Sequence, residues 1–379
     1  MLRRGFIKTL ALWLLTLPAI PRRAWGGVQA AGDVTSPAPR LAVLDWGLAE
    51  TVLALGITPV GVAEIDGYRD NVVIPAIPAG VADVGLRLAP SLEWLQQLAP
   101  DFILINSSQE AQRAMLERIC LVRAFAVYTD QGAPLSHAQR ITLELGRLCR
   151  REAAAGELIA QTRQTLARAG AELDSSRRRL ASEPIYLIRF FDALHIGIYG
   201  ERSLFQDVMD ALGVKNAWRG PTDYWGIGVA GLEALAARQE AAIVYFTPLP
   251  APVAAGLQGN RLWQALPAVK QRRGYGVAPV LGFGMLPSAD RFARGLGAAL
   301  KAQGMITARV PWEKPRNERR FPCRYPPDIQ AVAAVADGFG LRRRRGSQPG
   351  KPVVDSTCFA LVADLSFNAG AGYQTYHGF

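Results

Sequence analysis

The sequence is poor in the groups that bind metals. Among 379 residues it has four cysteines and three histidines. Cys120, Cys149, Cys323 and Cys358 follow no zinc-site spacing and the histidines are scattered, so no cluster is predicted to hold a transition metal directly. Nucleotide loops are also missing. No Gly-x-Gly-x-x-Gly follows a strand-like run, and GFGMLPSAD (282–290) has neither the spacing nor the lysine of a P-loop. There is no Gly-x-Ser-x-Gly elbow, and Asp192 close to His195 reads as a turn and a strand residue. The apolar run from Leu10 to Ile20 is too short to cross a bilayer of ~30 Å as a helix. These absences leave no foothold for catalysis. An α/β enzyme survives only as the reading from another class, with no nucleophile–base pair behind it.

Charge is unevenly placed. The net +11 invites a nucleic-acid partner, yet residues 1–26 carry five basic groups and no acid, and residues 307–379 carry eleven basic against six acidic. The body from 27 to 306 is left with 27 basic and 26 acidic side chains, so no phosphate-binding stripe is implied. That excludes DNA or RNA as the main partner.

The first thirty residues have the parts of an export signal. Arg3 and Arg4 precede the apolar run, and small-x-small sites follow at Ala24-Trp25-Gly26 and Val28-Gln29-Ala30. The string Arg3-Arg4-Gly5-Phe6-Ile7-Lys8 resembles the twin-arginine pattern, and no cysteine follows to carry a lipid. A soluble protein exported to a periplasm is expected. In such a compartment Cys120 and Cys149 either bridge or stay as buried thiols.

What the body does contain is alternation. RLAVLDW (40–46) reads as a buried strand, LAETVLALG (48–56) as a helix stopped by glycine, and ITPVGVAE as the next strand. SLEWLQQLA (91–99) reads as a helix capped by Ser91, followed by the strand DFILIN (101–106). Residues 137–181 lack proline and read as long helix, with one helix over about 151–180. Then the order restarts: PIYLIRF (184–190), LHIGIYG (194–200), the helix SLFQDVMDALG (203–213), and helix then strand in GLEALAARQEAAIVYF (231–246). LALG with a later SLEWLQQLAPDFILI is echoed by DALG with a later GLEALAARQEAAIVY. The expected fold is therefore α/β, two similar lobes with mainly parallel sheets joined by one long helix. The divisions are an export signal at 1–30, an N-terminal lobe at 31–140, a connecting helix at 141–181, a C-terminal lobe at 182–306 and a basic, proline-rich tail at 307–379, expected to be disordered. A cleft between the lobes is the natural ligand site.

Arg87, in VADVGLRLAP, stands at a strand-to-helix junction, where α/β folds put ligand contacts. It reads either as a surface arginine laid over leucines or as a ligand donor. Trp225 in PTDYWGIGVAG, Trp46 and Phe283 supply aromatic walls; of these Trp225 has the least local core to fill.

The runs LDWGLAETVLALGITPVGVAE, ADVGLRLAPSLEWLQQLAPDFILI, SLFQDVMDALGVKNAWRGPTDYWG and LWQALPAVKQRRGYGVAP resemble the iron-siderophore branch of the ABC-transporter substrate-binding proteins, in its ferric-hydroxamate (ferrichrome) members. The likeness covers about 40–305, with the runs in family order. It implies a periplasmic monomer that captures a ferric hydroxamate-type siderophore and delivers it to an inner-membrane ABC permease, with no enzymatic activity. Arg87 would then donate to the iron-bound hydroxamate oxygens and Trp225 would wall the scaffold. Iron would arrive already coordinated, with no metal ligand or cofactor supplied by the protein. The sequence departs from the family where Gln109 stands at a tyrosine position, and where Asn71 and Leu281 stand at pocket aromatics; Phe283 keeps a ring without a hydroxyl. A smaller or more polar siderophore than ferrichrome is implied, with another iron chelate, haem or cobalamin as the alternative ligand. For permease docking the resemblance points to Glu233 on the C-lobe. On the N-lobe it falls on Ala114, where Glu110 and Glu117 could substitute.

Overall fold

β1 (Leu41–Val43) is apolar on both faces, Leu41 and Val43 entering one cluster of buried side chains and Ala42 another. A strand buried on both sides reads as a continuous apolar run, as in parallel sheets covered by helices. The strand ends earlier than the apolar run suggests. Asp45 accepts a hydrogen bond from the Leu48 amide at 2.9 Å and starts α1 (Trp46–Ala54), so Trp46 opens a helix instead of closing a strand. Gly56, at φ 75°, terminates that helix.

The structure is a computed structural model that describes residues 38–175 and 183–301. The export signal, the tail, Cys323 and Cys358 lie outside the described residues.

β2 (Gly61–Val62), α2 (Ile65–Asn71) and β3 (Ala82–Asp83) follow, and then a small antiparallel pair, β4 (Gly85–Leu86) with β5 (Ala89–Pro90). Its two connecting residues are Arg87 and Leu88, which places Arg87 at a hairpin tip. α3 (Leu92–Leu98) is capped by Ser91 through the Trp94 amide. β6 (Phe102–Asn106), a 3-10 turn over Ser107–Gln112, α4 (Arg113–Leu116) and β7 (Leu121–Phe125) complete the first half. Its sheet runs β3-β2-β1-β6-β7, every pair parallel.

The expected long helix comes in two pieces. α5 (Pro134–Leu148) stops at Cys149, Arg150 takes a left-handed φ of 55°, and α6 (Glu152–Ser175) restarts. Residues 141–148 thus belong to the earlier helix. Cys120 and Cys149 are free thiols, and burial pushes the Cys149 thiol up to about 11.

In the second half, β8 (Ile185–Phe190), β9 (His195–Tyr199), α7 (Leu204–Ala211), β10 (Ile227–Gly231), a 3-10 turn over Leu232–Ala236 and β11 (Ala242–Phe246) are followed by three short helices. These are α8 (Ala251–Gly259), α9 (Arg261–Ala265) and α10 (Pro267–Lys270), before β12 (Gly274–Val277) and α11 (Leu286–Lys301). This sheet runs β10-β9-β8-β11-β12 and is mixed: β8, β11 and β12 are parallel, whereas β9 joins β8 and β10 antiparallel. The short link from Phe190 to His195 explains this, since parallel neighbours need a longer crossover. The echo between the halves holds at the backbone. Gly213, like Gly56, closes its helix in the left-handed region, at φ 68°.

The halves are stitched together along α11, which packs on α6 and buries Phe292 against the Phe205 ring at 4.2 Å. Its first turn receives a buried side chain from the first half: Glu50 of α1 accepts from the Met285 amide at 2.6 Å and from the Ser288 hydroxyl at 2.7 Å. A carboxylate is favoured there by the N-terminal end of the helix dipole. Burial nevertheless dominates and pushes the Glu50 carboxyl up to about 7. Arg291 donates to the carbonyls of Val72, Ile74 and Pro279, tying loops of both halves to the same helix.

Candidate functional site

In open α/β sheets ligands bind beyond the carboxyl ends of the strands. β1 is the central strand of one sheet and β8 of the other. Beyond or at their carboxyl ends stand Asp45 and Trp46 on the first half and Arg189 on the second, with Asn106 at the carboxyl end of the neighbouring β6. Contacts across the boundary join these regions. Arg189 donates to the Asn71 side-chain oxygen at 3.1 Å. Tyr128 donates its hydroxyl towards the carbonyls of Gly282 and Gly284, at 3.3 and 3.2 Å. A small concavity at this seam is lined by Asp45, Asn106, Ser107, Tyr128, Trp225 and Phe283, so residues of both halves share one site.

Arg87 reaches this region by construction. The hairpin carries it to a tip, and the Glu64 carboxylate accepts from both the Arg87 backbone amide (3.0 Å) and its Nε (2.9 Å). The Trp46 ring lies beneath the guanidinium, 4.0 Å from ring centroid to the central carbon. Trp46 itself is 7% exposed and anchored by its indole N–H to the Ala63 carbonyl at 3.0 Å. The terminal nitrogens of Arg87 have no hydrogen bond among the described residues. One edge and one face of the guanidinium are therefore fixed, and the outer fork remains available. The pair with Glu64 is part-exposed and worth only about 0–1 kcal/mol; its effect is to orient the fork and to cancel its charge. The sequence around Arg87 shows no partner for it, and the structure supplies the counter-charge from Glu64.

Gln109 occupies a different role from a direct contact. It is 2% exposed, its amide nitrogen donates to the carbonyls of Leu44 (3.1 Å) and Arg87 (2.9 Å), and its oxygen accepts from the Asn106 amide (3.0 Å). Its side chain is used internally and braces the Arg87 tip from behind. Leu281 is likewise buried, in the shared core. Asn71 lies at the boundary, its amide nitrogen on the Gly67 carbonyl and its oxygen on Arg189.

Of the three expected aromatic walls, Trp225 and Phe283 meet, whereas Trp46 lies apart under Arg87. Trp225 packs on Tyr128 at 5.1 Å and on Phe283 at 5.0 Å between centroids, and Tyr224 donates its hydroxyl to the Tyr128 carbonyl. Trp225 and Phe283 are half-buried and keep an accessible part at the seam, whereas Tyr128 is buried. Desolvation holds the Tyr128 hydroxyl protonated, its pKa well above the ordinary tyrosine value. Tyr128, Glu64 and Arg189 were missed in the sequence. Tyr128 and Glu64 follow the carboxyl ends of β7 and β2, and Arg189 is a single cation inside the apolar run IYLIRF. Position after a strand was the signal available.

On the outer surface Glu233 is exposed in its 3-10 turn and forms no ion pair among the described residues. Glu110 and Glu117 both pair with Arg113, at 2.5 and 3.0 Å, and flank the exposed Ala114. Among the described residues no group of three or more His, Cys, Asp or Glu could hold a metal ion. No described helix is long and apolar enough to cross a membrane.

Residues 41–280 match the family described as periplasmic binding protein. The iron(3+)-hydroxamate-binding protein FhuD of Escherichia coli K12 is 32% identical over 287 residues, covering 76% of this chain and 95% of that protein. Among solved structures, the siderophore-binding protein FhuD of Vibrio cholerae with ferric Desferal bound superposes with a TM-score of 0.65 at 30% identity, over 70% of this chain and 99% of that one. The triscatecholate siderophore-binding protein FeuA of Bacillus subtilis shares the fold, with a TM-score of 0.56 at 20% identity over 71% and 94% of the two chains.

Proposed function

The chain belongs to the periplasmic binding protein family, and from that premise we propose that it captures a ferric hydroxamate-type siderophore and hands it to an inner-membrane ABC permease. It is a binding protein and not an enzyme, and its place is the periplasm. We assign its export to a twin-arginine signal within residues 1–30, and we take it to act as a monomer.

The observation that carries the ligand reading is the outer fork of Arg87, held by Glu64 on one edge and Trp46 on one face. Three hydroxamates neutralise ferric iron, so the chelate presents oxygens with partial negative charge and no net charge. A guanidinium whose charge is already balanced suits such a ligand: it offers directed donors without importing an uncompensated cation. Trp225 and Phe283 then cover the apolar scaffold of the chelator. Gln109 acts through Arg87 by bracing its carbonyl. Iron is cargo, already coordinated before it arrives.

Delivery needs a surface that the permease can read. Glu233 fits as the C-lobe acid. On the N-lobe Glu110 and Glu117 share one arginine, leaving a net charge of minus one spread over three side chains and a weaker docking handle than a free carboxylate.

Intrinsic tryptophan fluorescence tests the ligand reading, because Trp46 and Trp225 flank the cleft. Ferrichrome or a ferrioxamine should quench it at micromolar concentration, with affinity lost in Arg87→Ala. An unchanged signal across a hydroxamate panel refutes the assignment.

A further inference from the structure

Arg189 is a second cation at the cleft, and it differs from Arg87 in having no balancing charge. It lies near the carboxyl end of β8, the central strand of its sheet. Alternation along that strand puts Ile185 and Leu187 into the core shared by both halves, whereas Tyr186, Ile188 and Phe190 enter the outer core of the second half. Arg189 therefore points to the inner side, towards the first half, and its bond to Asn71 of α2 confirms that direction. The side chain is exposed. Asn71 is a neutral acceptor, and no carboxylate lies within ion-pair distance of Arg189 among the described residues. The nearest acidic side chain along the strand connection, Asp192, is committed to His195 at 2.8 Å and to the amides of Leu194 and His195.

The surface around it is built like a subsite. In register across the strands Arg189 faces Gly197, and Gly197 faces Val229, so the three share one face of the sheet. A Cβ on Gly197 would come within 2.9 Å of the Phe191 ring, which fills the space left by the missing side chain. Phe191 and Val229 both stay exposed, at 36% and 62%. Tyr199, on the same face, has its hydroxyl close enough to Arg189 for the cation to oppose the rise in pKa that burial imposes. A cation beside an exposed ring, with an exposed aliphatic side chain further along the same face of the sheet, is suited to the periphery of a chelate and not to its iron centre.

We propose that Arg189, with the Phe191 ring beside it and Val229 further along the same face, is a specificity subsite for an anionic peripheral group on the ferric hydroxamate, such as a free carboxylate. This inference rests on the siderophore reading above and deepens it. Arg87, balanced by Glu64, takes the neutral chelate core; Arg189, unbalanced, selects for a negative charge outside the core. The ligand displaces the Asn71 contact, exchanging a neutral acceptor for a charged one.

One scaffold with three peripheral charges tests the assignment. Ferrioxamine B carries a free ammonium, its N-acetyl derivative is neutral, and its N-succinyl derivative carries a carboxylate, with the iron shell unchanged. Tryptophan quenching by each should give an order of affinity succinyl, acetyl, free amine, with the succinyl form bound on the order of five- to tenfold more tightly than the acetyl form at low salt. In Arg189→Gln that ratio should collapse towards one, and Arg189→Lys should keep most of it. Thermal melts of both variants establish that they fold, and the lysine variant separates loss of charge from loss of shape. If all three chelates bind and the charge order is absent, or persists in Arg189→Gln, the subsite is overturned while the siderophore reading stands. If none of the three binds the wild-type protein, the siderophore reading fails and the subsite with it.

Discussion

Replacing Glu50 by glutamine should flatten the dependence of stability on pH. Glu50 is fully buried where α1 meets the first turn of α11, with the Met285 amide and the Ser288 hydroxyl on its two oxygens. Those bonds, and the more distant Arg291, favour the charged form, but desolvation outweighs them and lifts the carboxyl from 4.5 to about 7. A group whose pKa is higher in the folded than in the unfolded chain stabilises the protein fully below the unfolded value. That contribution is lost as pH rises through the folded value. At about 1.4 kcal/mol per pH unit, the gap between 4.5 and about 7 is worth on the order of 3 kcal/mol, most of it lost between about pH 5 and pH 7. Glutamine keeps the length and shape of the side chain and does not ionise. Asp207 and Asp223 are also raised by burial, so the informative quantity is the difference between wild type and Glu50→Gln, which cancels their contributions. Urea unfolding at a series of pH values supplies it. The variant should gain on the wild type steadily from pH 5 upward and level off above pH 8. Parallel curves would refute the reasoning, because they would mean that Glu50 is charged at no cost or is hydrated in the folded protein.

Arg87→Ala should weaken binding of a neutral ferric trihydroxamate by ~1–3 kcal/mol, read by fluorescence titration, with little effect on unfolding because the Glu64 pair is part-exposed. Gln109→Leu should lower both quantities. It strands the carbonyls of Leu44 and Arg87 and the Asn106 amide, costing ~1–3 kcal/mol in urea unfolding, and it loosens the Arg87 tip. An affinity equal to wild type would show that Gln109 does not position Arg87. Phe292→Ala removes a fully buried ring packed on Phe205 and should cost ~3–5 kcal/mol in the same assay, without a change in the ligand dissociation constant of the folded fraction. Gly226→Ala should be among the most damaging single-methyl additions. Its φ is 78° and the added Cβ would sit 2.2 Å from the Ser203 amide nitrogen, so the Trp225 loop must move and both stability and Trp225 quenching should change.

The lobes are joined by more than one connector, which bears on how far the cleft can open. Glu50 clasps α11 from the first half, Arg291 of α11 reaches back to the Val72 and Ile74 carbonyls, Tyr128 bonds the loop before the helix, and α11 packs along α6. Opening the cleft widely would strip partners from a buried carboxylate and a buried tyrosine, each costly to leave unpaired. Small rearrangements on ligand binding fit this arrangement better than a wide hinge motion. The same stitching explains why the candidate site is shared by both halves: the Tyr128 contact that holds the lobes together also forms the floor beneath Trp225 and Phe283.

The sequence by itself determined the α/β class, the repetition of the two halves with its LALG and DALG echo, the cap at Ser91, the helix-ending glycine at 56, and the position of Arg87 after a strand. These follow from local chemistry: apolar period, side-chain caps and the conformational freedom of glycine act within a few residues. Only the tertiary structure decided which polar groups are spent and which are free. Gln109 looked like a ligand contact until its amide met carbonyls 22 and 65 positions away; Arg87 looked unpaired until Glu64, 23 positions earlier, closed on it. Arg189 looked like one more strand residue until packing brought Asn71, 118 positions away, to its side. A hydrogen bond is satisfied by proximity in space. Here that proximity is set by how the two lobes dock, which no local pattern of residues encodes.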